Sequence, residues 1–207
     1  MTTSKPRALV ACEYSGRVRD ALIRNGFDAM SCDLLPTDVE GPHYQGDVFD
    51  VINDGWDLMV AHPPCTHLAV SGARWFHKKQ KEQAEALEFV QQLLDAPIKY
   101  IALENPVSII ASRIRKPDQI VQPWQFGDAI SKKTCWWLKG LPPLTPTNIV
   151  DPGEFHTTAS GKKLPLWYHK ASGKDRWKIR STTHQGIADA IGDQWGLFVL
   201  NQFHSAQ

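Results

Sequence analysis

Cys65 and Glu104 are the residues of this chain whose types and settings point to chemistry. Each ends a short apolar run: Asp57-Leu-Met-Val-Ala-His62-Pro63-Pro64-Cys65, and Pro97-Ile-Lys-Tyr-Ile-Ala-Leu-Glu104-Asn105-Pro106. Runs of this length between turn residues predict buried strands. Open α/β sheets bind ligands outside the carboxyl ends of their strands, so both residues are expected at one sheet edge. Prolines neither continue a ladder nor enter a helix freely, so Pro63-Pro64 forces a turn that presents Cys65 outward. A thiol there is a nucleophile, a redox group or a small packing residue, and a carboxyl on the next strand end favours the first. His62 and His67 flank the turn, so a histidine-activated thiol of the protease type is the rival pairing. No orienting residue or oxyanion donor accompanies it.

The elements that must position these groups follow from pattern. Arg7–Cys12 predicts a strand, Glu13-Tyr14-Ser15-Gly16 a turn, and residues 17–24 a helix stopped by Asn25-Gly26. Phe27–Cys32 predicts a second strand, ending in Asp33. In such a βαβ unit the first turn faces the ligand, and the acid after strand two can bind a ribose diol. Gly16 stands alone without a GxGxxG pattern, which argues against a dinucleotide pyrophosphate. Gly46-Asp47-Val48 is either a turn opening a helix or an acid placed for an adenine amino group.

Residues 66–76 predict a loop over the site, and 78–94 a helix with Ala84, Leu87, Val90, Gln91 and Leu94 on one face. Trp124–Leu138 alternates as a hairpin does, and Leu141–Thr147 predicts a rigid proline-rich connector. A polar excursion is expected over 144–180, and Thr183–Gly196 predicts a capped helix.

A chain of 207 residues suits a single domain over 1–207. The net charge of +1 gives no bulk field for nucleic acid, so any such contact must use local charge. Cys12, Cys32, Cys65 and Cys135 are too far apart for a zinc knuckle or a disulfide framework, so no metal is expected. No apolar leader or bilayer-length run is present, which predicts no membrane association and a cytoplasmic protein with reduced thiols, in a bacterial host cytosol. Six of the eight tryptophans fall after residue 120, where packing and base stacking are the competing uses.

His62-Pro63-Pro64-Cys65 followed by Glu104-Asn105-Pro106 resembles the Pro-Pro-Cys and Glu-Asn motifs of C5-cytosine-specific DNA methyltransferases. The other pieces stand in the family's order: Cys12–Gly16, Asp33-Leu34, Asp47-Val48 and a last motif around Arg180–Asp189. The likeness covers about residues 7–138 and 180–198, and is strongest to small bacteriophage and prophage members. It implies an α/β, Rossmann-like S-adenosylmethionine-dependent methyltransferase fold, with a mostly parallel central sheet and helices on both faces.

The resemblance also implies roles. Cys65 would add to carbon 6 of a cytosine, Glu104 would assist at N3, and Asn105 would help orient the acid. Cys12, Glu13, Tyr14, Ser15, Gly16, Asp33, Leu34, Asp47, Val48, His62, Pro63 and Asp189 would hold S-adenosylmethionine, which carries no phosphate and tolerates a looser turn. Pro64, Arg74, Trp75, Lys132, Lys133 and Arg180 would meet the substrate, with Arg74 the expected activator of the thiol. Lys162, Lys163, Lys170, Lys174, Arg176 and Lys178 are further candidates for phosphate contact. The partner expected is DNA, whose target base must be flipped out; free pyrimidine nucleotide and a non-catalytic DNA- or protein-binding module are the alternatives. Two departures bear on the substrate: the Gln-x-Arg-x-Arg motif is replaced by Ser131-Lys132-Lys133-Thr134, and 144–180 stands where a large target-recognition region would lie.

Overall fold

The computed structural model describes residues 4–170 and 176–205; Lys174 and the side chains of Lys170 and Arg176 lie outside the described residues. Its centre is a seven-stranded sheet in the order β3-β2-β1-β4-β5-β7-β6. The strands are β1 (Arg7–Ala11), β2 (Asp28–Asp33), β3 (His43–Gln45), β4 (Leu58–Ala61), β5 (Tyr100–Pro106), β6 (Gln119–Val121) and β7 (Thr134–Lys139). β3, β2, β1, β4 and β5 run parallel, whereas β7 is antiparallel to both β5 and β6. This is a Rossmann-like α/β architecture, mostly parallel with helices on both faces.

The strand residues alternate between two cores with period two, as a sheet covered on both faces requires. Leu9, Met59, Ile101, Leu103 and Trp137 face one core, with Val48, Val90 and Leu93 above them. Ala8, Val10, Leu58, Val60, Ala102 and Trp136 face the other, with Val18, Leu22, Ile187, Ile191 and Trp195. The first core is roofed by α2 (Gln80–Leu94) and α3 (Ile110–Arg113). The second is roofed by α1 (Arg17–Arg24), α6 (Gln185–Ala190), a π-helical stretch at Ile191–Gly196 and α7 (Leu197–Ser205). Gly192 permits the close approach of that run to α1, since a Cβ there would lie 2.7 Å from the Ala21 carbonyl oxygen.

Four expectations are corrected. The helix expected to end at Gly196 runs on through the π stretch to Ser205, because Gly192 and Gly196 serve close packing on α1 and do not stop the chain. The hairpin expected over 124–138 begins earlier: β6 at Gln119–Val121 is the partner of β7, and the intervening residues hold a 3-10 turn at Pro123–Gln125. On α2 the buried residues are Val90 and Leu93 with Ala86 half-buried, while Ala84 and Gln91 are exposed. The loop after Cys65 is ordered as 3-10 turns over Val70–Lys78.

Residues 142–163 are largely exposed, and the excursion folds small, as the hairpin β8 (Phe155–Thr157) with β9 (Lys163–Pro165), then α4 (Leu166–Lys170) and α5 (Arg176–Ser181). Trp136, Trp137 and Trp195 are fully buried, so packing accounts for them, whereas Trp75 and Trp177 are about half exposed. Among the described residues no helix is long and apolar enough to cross a membrane.

Candidate active site

The carboxyl ends of β4 and β5 bring Cys65 and Glu104 together. The pairing of Ala61 with Leu103 puts His62 and Glu104 one step beyond, on the same face. Asn105 points to the opposite face, is fully buried, and donates from Nδ2 to the Pro63 carbonyl at 3.0 Å. The carbonyl of Cys65 accepts from the amides of both Leu68 and Ala69, which closes the turn behind the thiol. Pro63 is buried while Pro64, Cys65 and Thr66 are exposed, so the proline turn lifts the cysteine out of the sheet edge on a fixed base. Cys65 is the exposed cysteine of the four.

On the α2 side of this turn lies a cavity of about 390 Å³. Cys12, Asp33, Leu34, Asp47, Val48 and Pro64 line it, and so do Cys32, Gly46, His67, Glu82, Glu85, Ala86 and Phe89. Asp33 accepts from the Leu35 amide at 2.9 Å, and Asp47 caps the 3-10 turn at Val48–Asp50 by accepting from Phe49 N. Burial pushes the Asp33 carboxyl up, against the Leu35 and Leu34 amides and His43, which pull it down. Cys12 has φ of 58°, a left-handed conformation in which a non-glycine residue costs about 1–3 kcal/mol, and such strain gathers at ligand sites. Burial first, then Asp33, pushes the Cys12 and Cys32 thiols far up, Cys32 to about 12, so neither rivals Cys65 as a nucleophile.

Other residues expected at the cofactor have different duties. Glu13 is buried and caps α1, its Oε1 accepting from Val18 N and Ser15 Oγ and its Oε2 from Arg19 N. Gly16 turns the chain at φ 71°, and a Cβ there would lie 2.6 Å from the Arg19 side chain. Tyr14 donates to or accepts from Ser181 Oγ at 3.2 Å, fastening α5 to the first turn. Asp189 pairs with Arg24 at 2.5 Å on the far side of α6. His62 and Pro63 do not line the cavity, whereas Pro64, expected at the substrate, does.

On the other side of the turn the polar groups are packed tightly. His62 Nδ1 lies 3.5 Å from Glu104 Oε2. Burial alone would raise the Glu104 carboxyl; the His62 hydrogen bond, Lys132 and the two histidines His62 and His184 outweigh it and hold the group below its ordinary value. Desolvation and the Glu104 charge push the Cys65 thiol up, and Lys132 pulls it down. Arg74, expected to activate the thiol, lies over the Trp75 ring at 5.1 Å, and Lys132 is the cation that acts on Cys65. Lys132 Nζ donates to the Arg180 carbonyl at 2.9 Å, and Lys133 is exposed. The Arg180 guanidinium stacks on Tyr168 at 3.5 Å. No hydrogen bond joins Cys65 to His62 or His67 among the described residues, so the protease-type pair does not form. Among those residues no group of three or more His, Cys, Asp or Glu is placed to hold a metal ion.

Glu82, Glu85 and Phe89 lie outside the apolar face expected for this helix, and sequence reasoning does not single them out. Their signal was the i, i+3, i+7 row that puts one aromatic and two acids on a single stripe of α2. His184 was hidden as one polar residue before a helix; only the fold brings it to Glu104.

No protein-family model matches the chain, and no curated protein matches it. Among solved structures it is similar to a proposed DNA modification methyltransferase encoded within an E. coli prophage, at 13% identity with a TM-score of 0.47. That likeness covers 82% of this chain and 56% of the other, so the chain spans little more than half the length of that structure.

Proposed function

We propose that this chain is an S-adenosylmethionine-dependent enzyme that methylates carbon 5 of cytosine in DNA through a covalent bond to Cys65. The observation that carries the reading is the Asn105-braced turn, which sets an exposed thiol between a buried carboxylate and an acid-lined cavity. The cavity suits the cofactor: Asp33 and Asp47 present acceptors for hydroxyl and amino groups, Leu34 and Phe89 supply apolar walls, and no Lys or Arg among the described residues lines it. A sulfonium and an ammonium are favoured in such surroundings. S-adenosylmethionine held there supplies an electrophilic methyl group for the ring.

Carbon 5 of cytosine is a weak nucleophile until sulfur adds at carbon 6 and N3 gains a proton. In the resting site Cys65 holds its proton and Glu104 does not, so the pair carries one proton, on sulfur. Glu104 takes that proton as the Sγ–C6 bond forms and gives it to N3, leaving carbon 5 enamine-like and nucleophilic. Once carbon 5 is methylated, water takes its proton, the C6–S bond breaks, and the N3 proton returns through Glu104 to sulfur. One proton is released per turnover, and the pair is restored. Lys132 stabilises the negative charge on whichever partner bears it.

Trp75 stands 47% exposed just after the turn, flanked by Arg74 and Lys78 at 5.1 and 5.6 Å from its ring. An aromatic platform beside two cations suits an unstacked base and its phosphates, which favours DNA over a free nucleotide. A duplex oligonucleotide bearing 5-fluorocytosine, incubated with cofactor, should form an adduct stable to denaturation, and Cys65→Ala should abolish it. Absence of an adduct with the unaltered chain overturns the reading. Methyl incorporation into dCMP but not into duplex would move the substrate to free pyrimidine nucleotides.

A further inference from the structure

His62 was expected to face the cofactor, yet its ring is turned the other way. Its side chain is 8% exposed and that of Glu104 14%, and the two meet between β4 and β5, away from the acid-lined cavity. We infer that His62 is the positioning residue for Glu104: Nδ1–H holds Oε2, so that Oε1 is the oxygen left to meet the substrate ring. The inference rests on the function proposed above and adds to it what aims the acid.

Three observations carry it. The His62 backbone is pinned, its amide donating to the Ala11 carbonyl at 2.9 Å, so the residue sits between β1 and β5 at the end of β4. The ring is backed by Trp136, the register partner of Glu104 on β7, which meets it edge-on at 6.1 Å and is itself fully buried against Trp195 at 5.0 Å. His62 is thereby hindered from swinging away from the carboxylate. Third, Glu104 Oε1 and His62 Nε2 are both buried without a hydrogen-bond partner among the described residues. Folded proteins seldom leave a carboxylate oxygen unpaired, and an N3–H or an exocyclic amine is the kind of donor Oε1 lacks.

The other groups facing Glu104 do not hold it. Lys132, from the segment before β7, gives its hydrogen bond to the Arg180 carbonyl. His184, at the start of α6, bears on it electrostatically, and Cys65, from the turn, feels its charge without donating to it. A hydrogen bond to a carboxylate requires the proton on Nδ1, which fixes the tautomer of His62.

Asparagine places its amide nitrogen near the position of Nδ1, while leucine fills the space without a donor. With the fluorocytosine oligonucleotide and saturating cofactor, His62→Leu is expected to form the adduct about 10- to 100-fold more slowly, the range set by one hydrogen bond to a charged group. His62→Asn should stay within about fivefold of the unaltered chain, since it keeps the donor. Both should bind cofactor unchanged by calorimetry, a split that general loosening of the fold does not produce. An asparagine variant as slow as the leucine variant, or a leucine variant at full rate, overturns the assignment. Nitrogen-15 NMR of the unaltered chain gives a second measure that needs no variant of His62. A proton on Nδ1 whose resonance shifts in Glu104→Gln supports the bond; a ring protonated at Nε2 alone overturns it. Failure of the unaltered chain to form any adduct would sink the reading of the site, while the NMR result still decides the hydrogen bond.

Discussion

The two sides of the Cys65 turn are built on opposite physical plans. Toward α2 the wall is open, its acids Asp33, Asp47, Glu82 and Glu85 spread around a cavity large enough for a nucleoside. Toward α6 His62 and Glu104 are packed against one another and His62 against Trp136, while His184, its ring edge-on to Trp167, acts on Glu104 electrostatically. An open wall lets a ligand enter and leave each turnover. A closed cluster in low dielectric keeps one proton in a chosen place, since buried charges interact more strongly there. In the proposed function, exchange and proton storage are thus separated by a single turn of chain, and a substitution on one side should leave the other side's function intact.

The largest expected effect tests that separation. Glu104→Gln removes the proposed proton carrier, so adduct formation should fall about 10²- to 10⁴-fold, with cofactor affinity unchanged by calorimetry. Asp33→Asn should do the reverse, weakening cofactor binding about tenfold while the rate at saturation is retained. If Glu104→Gln weakens cofactor binding as much as Asp33→Asn does, the two sides are not separate. Next in size is Asn105→Ala, which strands the buried Pro63 carbonyl and loosens the turn shared by both sides. Its cost in urea unfolding should be about 1–3 kcal/mol, and both rate and affinity should suffer.

How much of this was legible beforehand differs between the two plans. β1, α1, β2, β4 and β5 follow apolar runs punctuated by Gly, Asn and Pro, so the strand ends carrying Asp33, Cys65 and Glu104 could be placed from local pattern. The cavity wall was half legible: Asp33, Leu34, Asp47 and Val48 sit near those strand ends, but Glu82, Glu85 and Phe89 lie outside the apolar face expected for α2 and were not singled out. The closed cluster was scarcely legible. Lys132 and His184 reach Glu104 only because β7 inserts antiparallel beside β5 and α6 docks on α1, and no local signal encodes contacts of that separation. β3 was missed because three residues give too short a period to read.

A smaller effect probes the charge that links the cluster to the thiol. Lys132 lowers both Cys65 and Glu104. Lys132→Met should therefore slow iodoacetamide alkylation of Cys65 near pH 8 by about 3- to 10-fold, half to one unit in a thiol pKa. Peptide mapping separates this exposed cysteine from buried Cys32 and Cys135. Arg74→Ala should leave the rate unchanged; if it slows alkylation and Lys132→Met does not, the activating charge comes from the loop and not from the cluster.

The smallest expected effect is on stability against pH, and its sign follows from His184. Burial, with Lys132 and Arg17 and against Asp128 and Glu104, lowers this histidine from 6.5 to about 4. The folded chain therefore keeps it neutral while the unfolded chain protonates it. Stability should fall as pH drops from about 6.5 and stop falling on this account near 4, where the folded form also takes the proton. The total is about 1–3 kcal/mol, reduced where solvent reaches the ring. Glu104 also loses stability on acidification, but only below its ordinary 4.5, so the window from 6.5 to 5 isolates histidine. Urea midpoints at pH 7.5 and 5 should lie closer together in His184→Gln than in the unaltered chain. An unchanged gap would mean that the α6 side is wetter than its packing implies, and the contrast between the two sides of the turn would narrow accordingly.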